Sequence, residues 1–209
     1  MDSLSEDDRA ELINRYLGRY TKFGVDVRTL NVGDPEKYAR QHAIHAAVGP
    51  LNGMTVLDIG CGFSLFYEYL KHKDISVRYI GYDVIEPFVI KNRENYPEAT
   101  FRVIDISKDR IVDSCDYVIM CQVFNNLYKD ADNVEVVKSA IAKAFDVATR
   151  AVSVDMLSTY VNYTEPKLFY FSPEEMFSFA KTLTPYVGLQ HAYLEHHFTI
   201  QLHKSRIVL

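Results

Sequence analysis

Apolar and polar positions change their period along the chain, and each change predicts an element. From about residue 4 to residue 19, Leu4, Leu12, Ile13, Tyr16 and Leu17, with Tyr20 just beyond, recur at roughly helical spacing. Gly24, Gly33, Asp34 and Pro35 then mark a turn-rich stretch. A second helix is expected over 36–48, stopped by Gly49-Pro50. From Met54 the pattern becomes five short apolar runs at 54–59, 77–82, 100–104, 117–121 and 150–155. Continuous apolar runs bounded by turns suit strands buried on both faces. Helical patterns separate them near 64–72, 86–95 and 132–148; in the last, Val134, Val137, Ile141, Ala144, Phe145 and Ala148 form one stripe. Strand and helix in alternation imply βαβ units and a mainly parallel sheet. The tail breaks this rhythm. Ser172-Pro173-Glu174-Glu175 reads as a helix start, and Met176, Phe177, Ala180 and Leu183 follow on one face. Two runs at 186–193 and 197–203 then read as an antiparallel hairpin that completes the sheet.

The most informative stretch is Val56-Leu57-Asp58-Ile59-Gly60-Cys61-Gly62, a buried strand running through D-x-G-x-G into a helix. Gly60 permits a tight turn, Gly62 lets a ligand approach the backbone, and the following helix offers free N–H groups. A nucleotide fold wants an acid about 20 residues further on for the ribose hydroxyls. Asp83 ends the second apolar run at that distance. The dinucleotide fingerprint would place a third small residue where this chain has Leu65, which weighs against a nicotinamide cofactor.

These features resemble the class I S-adenosylmethionine-dependent methyltransferases over about residues 36–203. VLDIGCG is similar to that family's first motif, YIGYDV to the strand whose acid holds the ribose, and FRVIDIS to the place of an acid that meets the adenine amino group. YVIMCQVFNNL resembles the fourth strand, whose end lies beside the methionine part. The resemblance implies an α/β, Rossmann-like, doubly wound, mainly parallel seven-stranded sheet with a C-terminal antiparallel hairpin. It divides the chain into a helical cap segment, 1–50, and an S-adenosylmethionine-binding domain, 51–209. The cofactor would be S-adenosylmethionine, leaving as S-adenosylhomocysteine. The implied contacts are Asp58, Gly60, Cys61 and Gly62 at the turn, Asp83 with Val84, Asp105 with Ile106, and Cys121 through its carbonyl. Asp58 would lie near the methionine ammonium, with a helix cap as its other reading. Arg40 could meet the methionine carboxylate, although related chains often carry the arginine one step later, where this one has Gln41. Tyr16, Tyr20 and Tyr38 lie in the part expected to close over the cofactor.

Ligands of open α/β sheets sit beyond the C-terminal strand ends. That points to Phe124, Asn125 and Asn126 after the fourth strand, and to Asp155, Tyr160, Asn162 and Tyr163 after the fifth. Asn125, Tyr160 and Tyr163 are taken as acceptor-binding residues. No residue is assigned as catalytic: in-line methyl transfer needs alignment and exclusion of water, and a base only if the nucleophile must lose a proton. His191, His196 and His197 with Glu195 match no zinc spacing, and no metal is expected, although one of them as a base stays open.

Composition narrows the partners. Hydrophobic residues make up 48% and the net charge is −5, with no run of Lys and Arg beyond Lys71-His72-Lys73. Duplex binding rests on phosphate neutralisation, so nucleic acid is not expected. The Asn/Asp-Pro-Pro-aromatic stretch of base-amino methyltransferases is also missing, since Gln122-Val123-Phe124-Asn125 stands in its place. No run approaches a membrane span, and Met1 to Arg9 is acidic and polar, so neither membrane nor signal peptide is expected. Cys61, Cys115 and Cys121 read as buried thiols of a reducing, cytoplasmic setting. The leading expectation is therefore a methyltransferase with a small-molecule acceptor, with oxygen, nitrogen or carbon as the acceptor atom left open. The aromatic tail leaves a homodimer open. The alternatives are a nicotinamide-dependent oxidoreductase and a noncatalytic cofactor-binding protein. Tyr67/Lys71 and Tyr163/Lys167 have the Tyr-x-x-x-Lys spacing of short-chain dehydrogenases; the first follows the glycine turn and Pro166 interrupts the second.

Overall fold

The computed structural model describes residues 3–31 and 33–207. Met1 and Asp2 of the N-terminal reading, and Val208 and Leu209 of the second segment, lie outside the described residues. Two helices come first, α1 (Glu6–Phe23) and α2 (Pro35–Ala46). Ser5 caps α1 by accepting the Asp8 N–H at 3.0 Å, and Glu6, Asp7 and Asp8 set negative charge at its positive end. The helix runs past the expected residue 19 because nothing stops it before Gly24, whose φ of 64° ends it. Asp34 caps α2, accepting the N–H groups of Glu36 and Lys37.

The remaining elements are β1 (Thr55–Ile59), α3 (Leu65–His72), β2 (Arg78–Asp83), α4 (Glu86–Asn95), β3 (Thr100–Val103), β4 (Cys115–Met120), α5 (Asn133–Val147), β5 (Ala148–Leu157), α6 (Pro173–Leu183), β6 (Val187–Leu194) and β7 (His197–His203). Seven strands form one sheet in the order β3-β2-β1-β4-β5-β7-β6. The first five pair in parallel, and β7 pairs antiparallel with both β5 and β6. This is the Rossmann-like arrangement with a terminal hairpin. β5 extends beyond the expected 150–155 because β7 pairs with it out to Leu157 opposite His197. β4 stops one residue short of Cys121, where Gln122 turns the chain with φ 57°.

Alternation along the strands sends side chains to two cores. Leu57, Ile59, Val118, Met120, Val152 and Val154 pack under α5 and α6 with Val137, Ile141, Ala144 and Met176. Val56, Tyr79, Tyr117 and Ile119 face the other way, against Phe66, Tyr67, Leu70 and Val89 of α3 and α4. On that second side β5 presents Ser153 and Asp155, both fully buried, to His45 and Gln41 of α2. Strand order reverses between β1 and β4, and in such sheets the crevice beyond that switch point receives ligands. Among the described residues no helix is long and apolar enough to cross a membrane.

Candidate functional site

The crevice is a cleft of about 980 Å³, part of it open to solvent. Its floor is the set of C-terminal strand ends: Ile59 to Gly62 from β1, Asp83 to Ile85 from β2, Ile104 to Ser107 from β3, and Cys121 to Phe124 from β4. Its roof is N-terminal, through Leu4, Leu12, Tyr16, Leu30 and Tyr38.

The glycine turn is built for close approach. Gly60 has φ 71° and Gly62 φ 53°, the left-handed region that side chains disfavour. A Cβ on Gly60 would meet Val123 Cγ2 at 2.7 Å, and one on Gly62 would meet Leu30 at 3.0 Å. The Gly60 and Cys61 amides donate to the Tyr82 carbonyl, and Asn92 of α4 donates to the Gly62 carbonyl at 2.7 Å. Asp83 closes the arrangement. Its Oδ2 accepts the Gly62 N–H and its Oδ1 the Ile85 N–H, both at 2.8 Å. Burial pushes the Asp83 carboxyl up to about 6 against the pull of these backbone donors. An anionic acid here has lone pairs left to accept from vicinal hydroxyls.

At the β3 end, Asp105 Oδ1 accepts from the Ser107 amide and hydroxyl, and Oδ2 from Arg9 Nε at 2.8 Å. Arg9 belongs to α1, which is tied down at two further points. Buried Asp8 accepts the backbone N–H groups of Lys129, Asp130 and Ala131, and Arg15 donates to Asn126. The apolar roof over the cleft is thus pinned by polar contacts to the loops after β3 and β4.

Residues 57–153 match a family model described as a methyltransferase domain. Over those residues the chain carries a methyltransferase domain. Among curated proteins, no sequence matches. Among solved structures, the magnesium protoporphyrin IX methyltransferase ChlM from Synechocystis PCC 6803 with bound SAH is similar at TM-score 0.66 and 14% identity, covering 94% of this chain and 96% of that one. A TehB-like SAM-dependent methyltransferase from Corynebacterium glutamicum ATCC 13032 is similar at TM-score 0.59 and 16% identity, covering 94% and 100%. The pyocyanin biosynthetic protein PhzM gives 0.64 and 13%, covering 89% and 61%. At these identities the likeness is one of fold.

Within this methyltransferase domain, Gly60, Cys61, Gly62, Asp83, Val84, Asp105, Ile106 and Cys121 all line the one cleft. Asp58 does not. It lies on the α3 side of β1, buried, accepting the Tyr79 phenol at 2.5 Å. Burial, reinforced by Asp83 and opposed by that hydrogen bond, pushes its carboxyl up to about 7. Arg40 is also elsewhere: its side chain is 62% exposed and 3.8 Å from Glu36. The α2 face that reaches the sheet carries Gln41, His42 and His45 instead, a helical spacing that leaves Arg40 outside. Asn125 lies behind the cleft, where its Oδ1 accepts the Leu157 N–H. Tyr160 and Tyr163 are exposed, the first bonded to Glu174 and the second edge-on to His196.

One group of buried donors was not legible as a unit in the sequence. Among the described residues, His45, Cys121 and Asp155 bring potential metal ligands within 4.8 Å of one another. Their chemistry favours hydrogen bonding. Burial, with Asp155 and Asp58 nearby, pushes the Cys121 thiol well above the usual range and keeps it protonated. Asp155 already accepts the Gln122 N–H at 2.5 Å and Gln41 Nε2 at 2.8 Å. The available signal was polar Ser153 and Asp155 alternating with apolar Val152, Val154 and Met156 in β5, a polar stripe on an inner face.

Proposed function

We propose that this methyltransferase moves the methyl group of S-adenosylmethionine to a small-molecule acceptor. The observation that carries the reading is the Gly60–Gly62 turn fastened to Asp83 on the floor of a roofed, largely apolar cleft. The residues fit the cofactor. Gly60 and Gly62 hold a tight left-handed turn at the cleft floor, where a Cβ would run into Val123 or Leu30, and Asp83 offers the acceptors a ribose diol requires. With the ribose there, Val84, Ile104 and Ile106 supply flat apolar walls for the base, and Asp105 an acceptor at its edge. The amino acid end then falls on the other side, between the glycine turn and the β4 exit at Cys121 and Gln122.

When bound, the cofactor supplies a methyl group on a positively charged sulfur. The chain's own work is alignment and exclusion of water. Tyr16, Tyr38, Val123 and Phe124 wall the region facing the β4 exit, where an acceptor would lie, and Leu12 and Leu30 close it from above. Net negative charge and the roofed cleft favour a small acceptor over RNA or DNA. Two structural neighbours also bear names tied to small molecules, a magnesium protoporphyrin IX methyltransferase and a pyocyanin biosynthetic protein.

The test is to incubate the protein with S-adenosylmethionine tritiated on its methyl group and a metabolite extract, bulk tRNA and bulk protein in turn. Label in the metabolite fraction is expected. Label only in the RNA or protein fraction would overturn the small-molecule acceptor.

A further inference from the structure

At the β4 exit the chain adopts a conformation its residue type disfavours. Gln122 sits at φ 57°, in the left-handed region that a residue with a side chain disfavours. Such strain persists where surrounding contacts over-determine it. Here the contacts are buried and converge on one acid. Asp155 Oδ1 accepts the Gln122 backbone N–H at 2.5 Å, and its Oδ2 accepts Gln41 Nε2 at 2.8 Å. Gln41 Oε1 in turn accepts Gln122 Nε2 at 2.6 Å, so both ends of Gln122 are held. Gln41 Nε2 also lies 3.2 Å from His197 Nδ1. His45 stands behind, with Nδ1 on Ser153 Oγ at 2.8 Å and Nε2 3.8 Å from Asp155 Oδ1. Asp155, His45 and Ser153 are fully buried, so none of them touches a ligand in the cleft, whereas Cys121 and Gln122 line it.

We infer that Asp155 is a positioning residue for the cofactor: with Gln41 it locks the left-handed turn at Gln122 and thereby aims the Cys121 carbonyl and the Gln122 side chain at the amino acid end of S-adenosylmethionine. The inference rests on the cofactor placement proposed above. It assigns a role to a buried carboxylate some distance from the glycine turn and on a different strand. It also accounts for the burial of Gln41, His45 and Ser153 in an interface that apolar residues could have filled at lower desolvation cost.

The experiment compares two nucleosides by titration calorimetry. S-adenosylhomocysteine has the amino acid end, and 5′-methylthioadenosine lacks it while keeping base and ribose. For Asp155→Asn we expect S-adenosylhomocysteine to bind at least tenfold more weakly and 5′-methylthioadenosine to change less than threefold. Gln41→Met, close in size, should show the same split more weakly and serves if the first variant does not fold. Parallel losses for both ligands, which a merely structural role would give, overturn the inference, as does no loss for either. A wild type that binds neither nucleoside overturns the cofactor placement itself.

Discussion

Asp83 at the end of β2 accepts the backbone N–H of Gly62 beyond the end of β1, at 2.8 Å, and the N–H of Ile85 with its other oxygen. One carboxylate therefore shapes the glycine turn, starts α4 and faces the cleft. Asp83→Ala leaves two amides without their acceptor, at about 1–3 kcal/mol for each that stays buried. It also removes the acceptors proposed for the ribose diol, so affinity for S-adenosylhomocysteine should fall more than about a hundredfold. Because burial holds this carboxyl at about 6, wild-type affinity should weaken as pH falls below about 6. Calorimetric titrations at several pH values check this; affinity flat from pH 7 to 5 would remove Asp83 from the ribose site.

Asp58 gives a different pH signature. Burial lifts its carboxyl to about 7, above the ordinary aspartate value of 3.8. The stability it contributes is therefore fully present below about pH 4 and is lost as pH rises through about 7. Asp58→Asn does not titrate, so its stability relative to wild type should rise by a few kcal/mol from pH 4 to pH 7 and then level off. Using the difference between variants cancels the opposing contribution of His42, whose pKa burial depresses to about 3. Urea unfolding of both proteins across this range measures it; a constant difference would contradict the buried, raised acid.

Gly60→Ala combines a positive φ with a contact 2.7 Å from Val123. The left-handed backbone alone costs about 1–2 kcal/mol, and overpacking adds to it. Val123→Ala in the same chain should relieve the contact and restore part of the stability. If the double variant is no more stable than Gly60→Ala, the clash is not a source of the loss.

Arg9 occupies the Asp105 oxygen that the base edge would need. Its side chain is 29% exposed, so the pair is worth at most about 1 kcal/mol. Arg9→Ala should raise affinity for S-adenosylhomocysteine about two- to fivefold, and Asp105→Ala should cancel that gain. An unchanged affinity in Arg9→Ala would place Asp105 outside the base contact.

The fold was legible because its signals are local. Apolar runs between turn residues gave the strands, and Ser172-Pro173 gave the start of α6. The glycine turn and Asp83 were legible because their spacing encodes geometry. Arg40 was harder: one step along a helix turns a side chain by about 100°, and Gln41 rather than Arg40 points inward. Asp58 was expected near the methionine ammonium, but alternation in β1 sends it to the Tyr79 side. The network of Gln41, His45, Gln122 and Asp155 joins α2, β5 and the β4 exit, and no local pattern announces a contact 114 residues apart in sequence.

The central claim is tested most directly by thermal unfolding with S-adenosylhomocysteine, S-adenosylmethionine or NADH, each near 100 times its dissociation constant. Specific binding then adds about 2.7 kcal/mol, or roughly 5–11 °C for a chain of this length. The account predicts that shift with both sulfur nucleotides, none with NADH, and none with any of them in Asp83→Ala. A shift with NADH alone, or none from a well-folded protein, would contradict it.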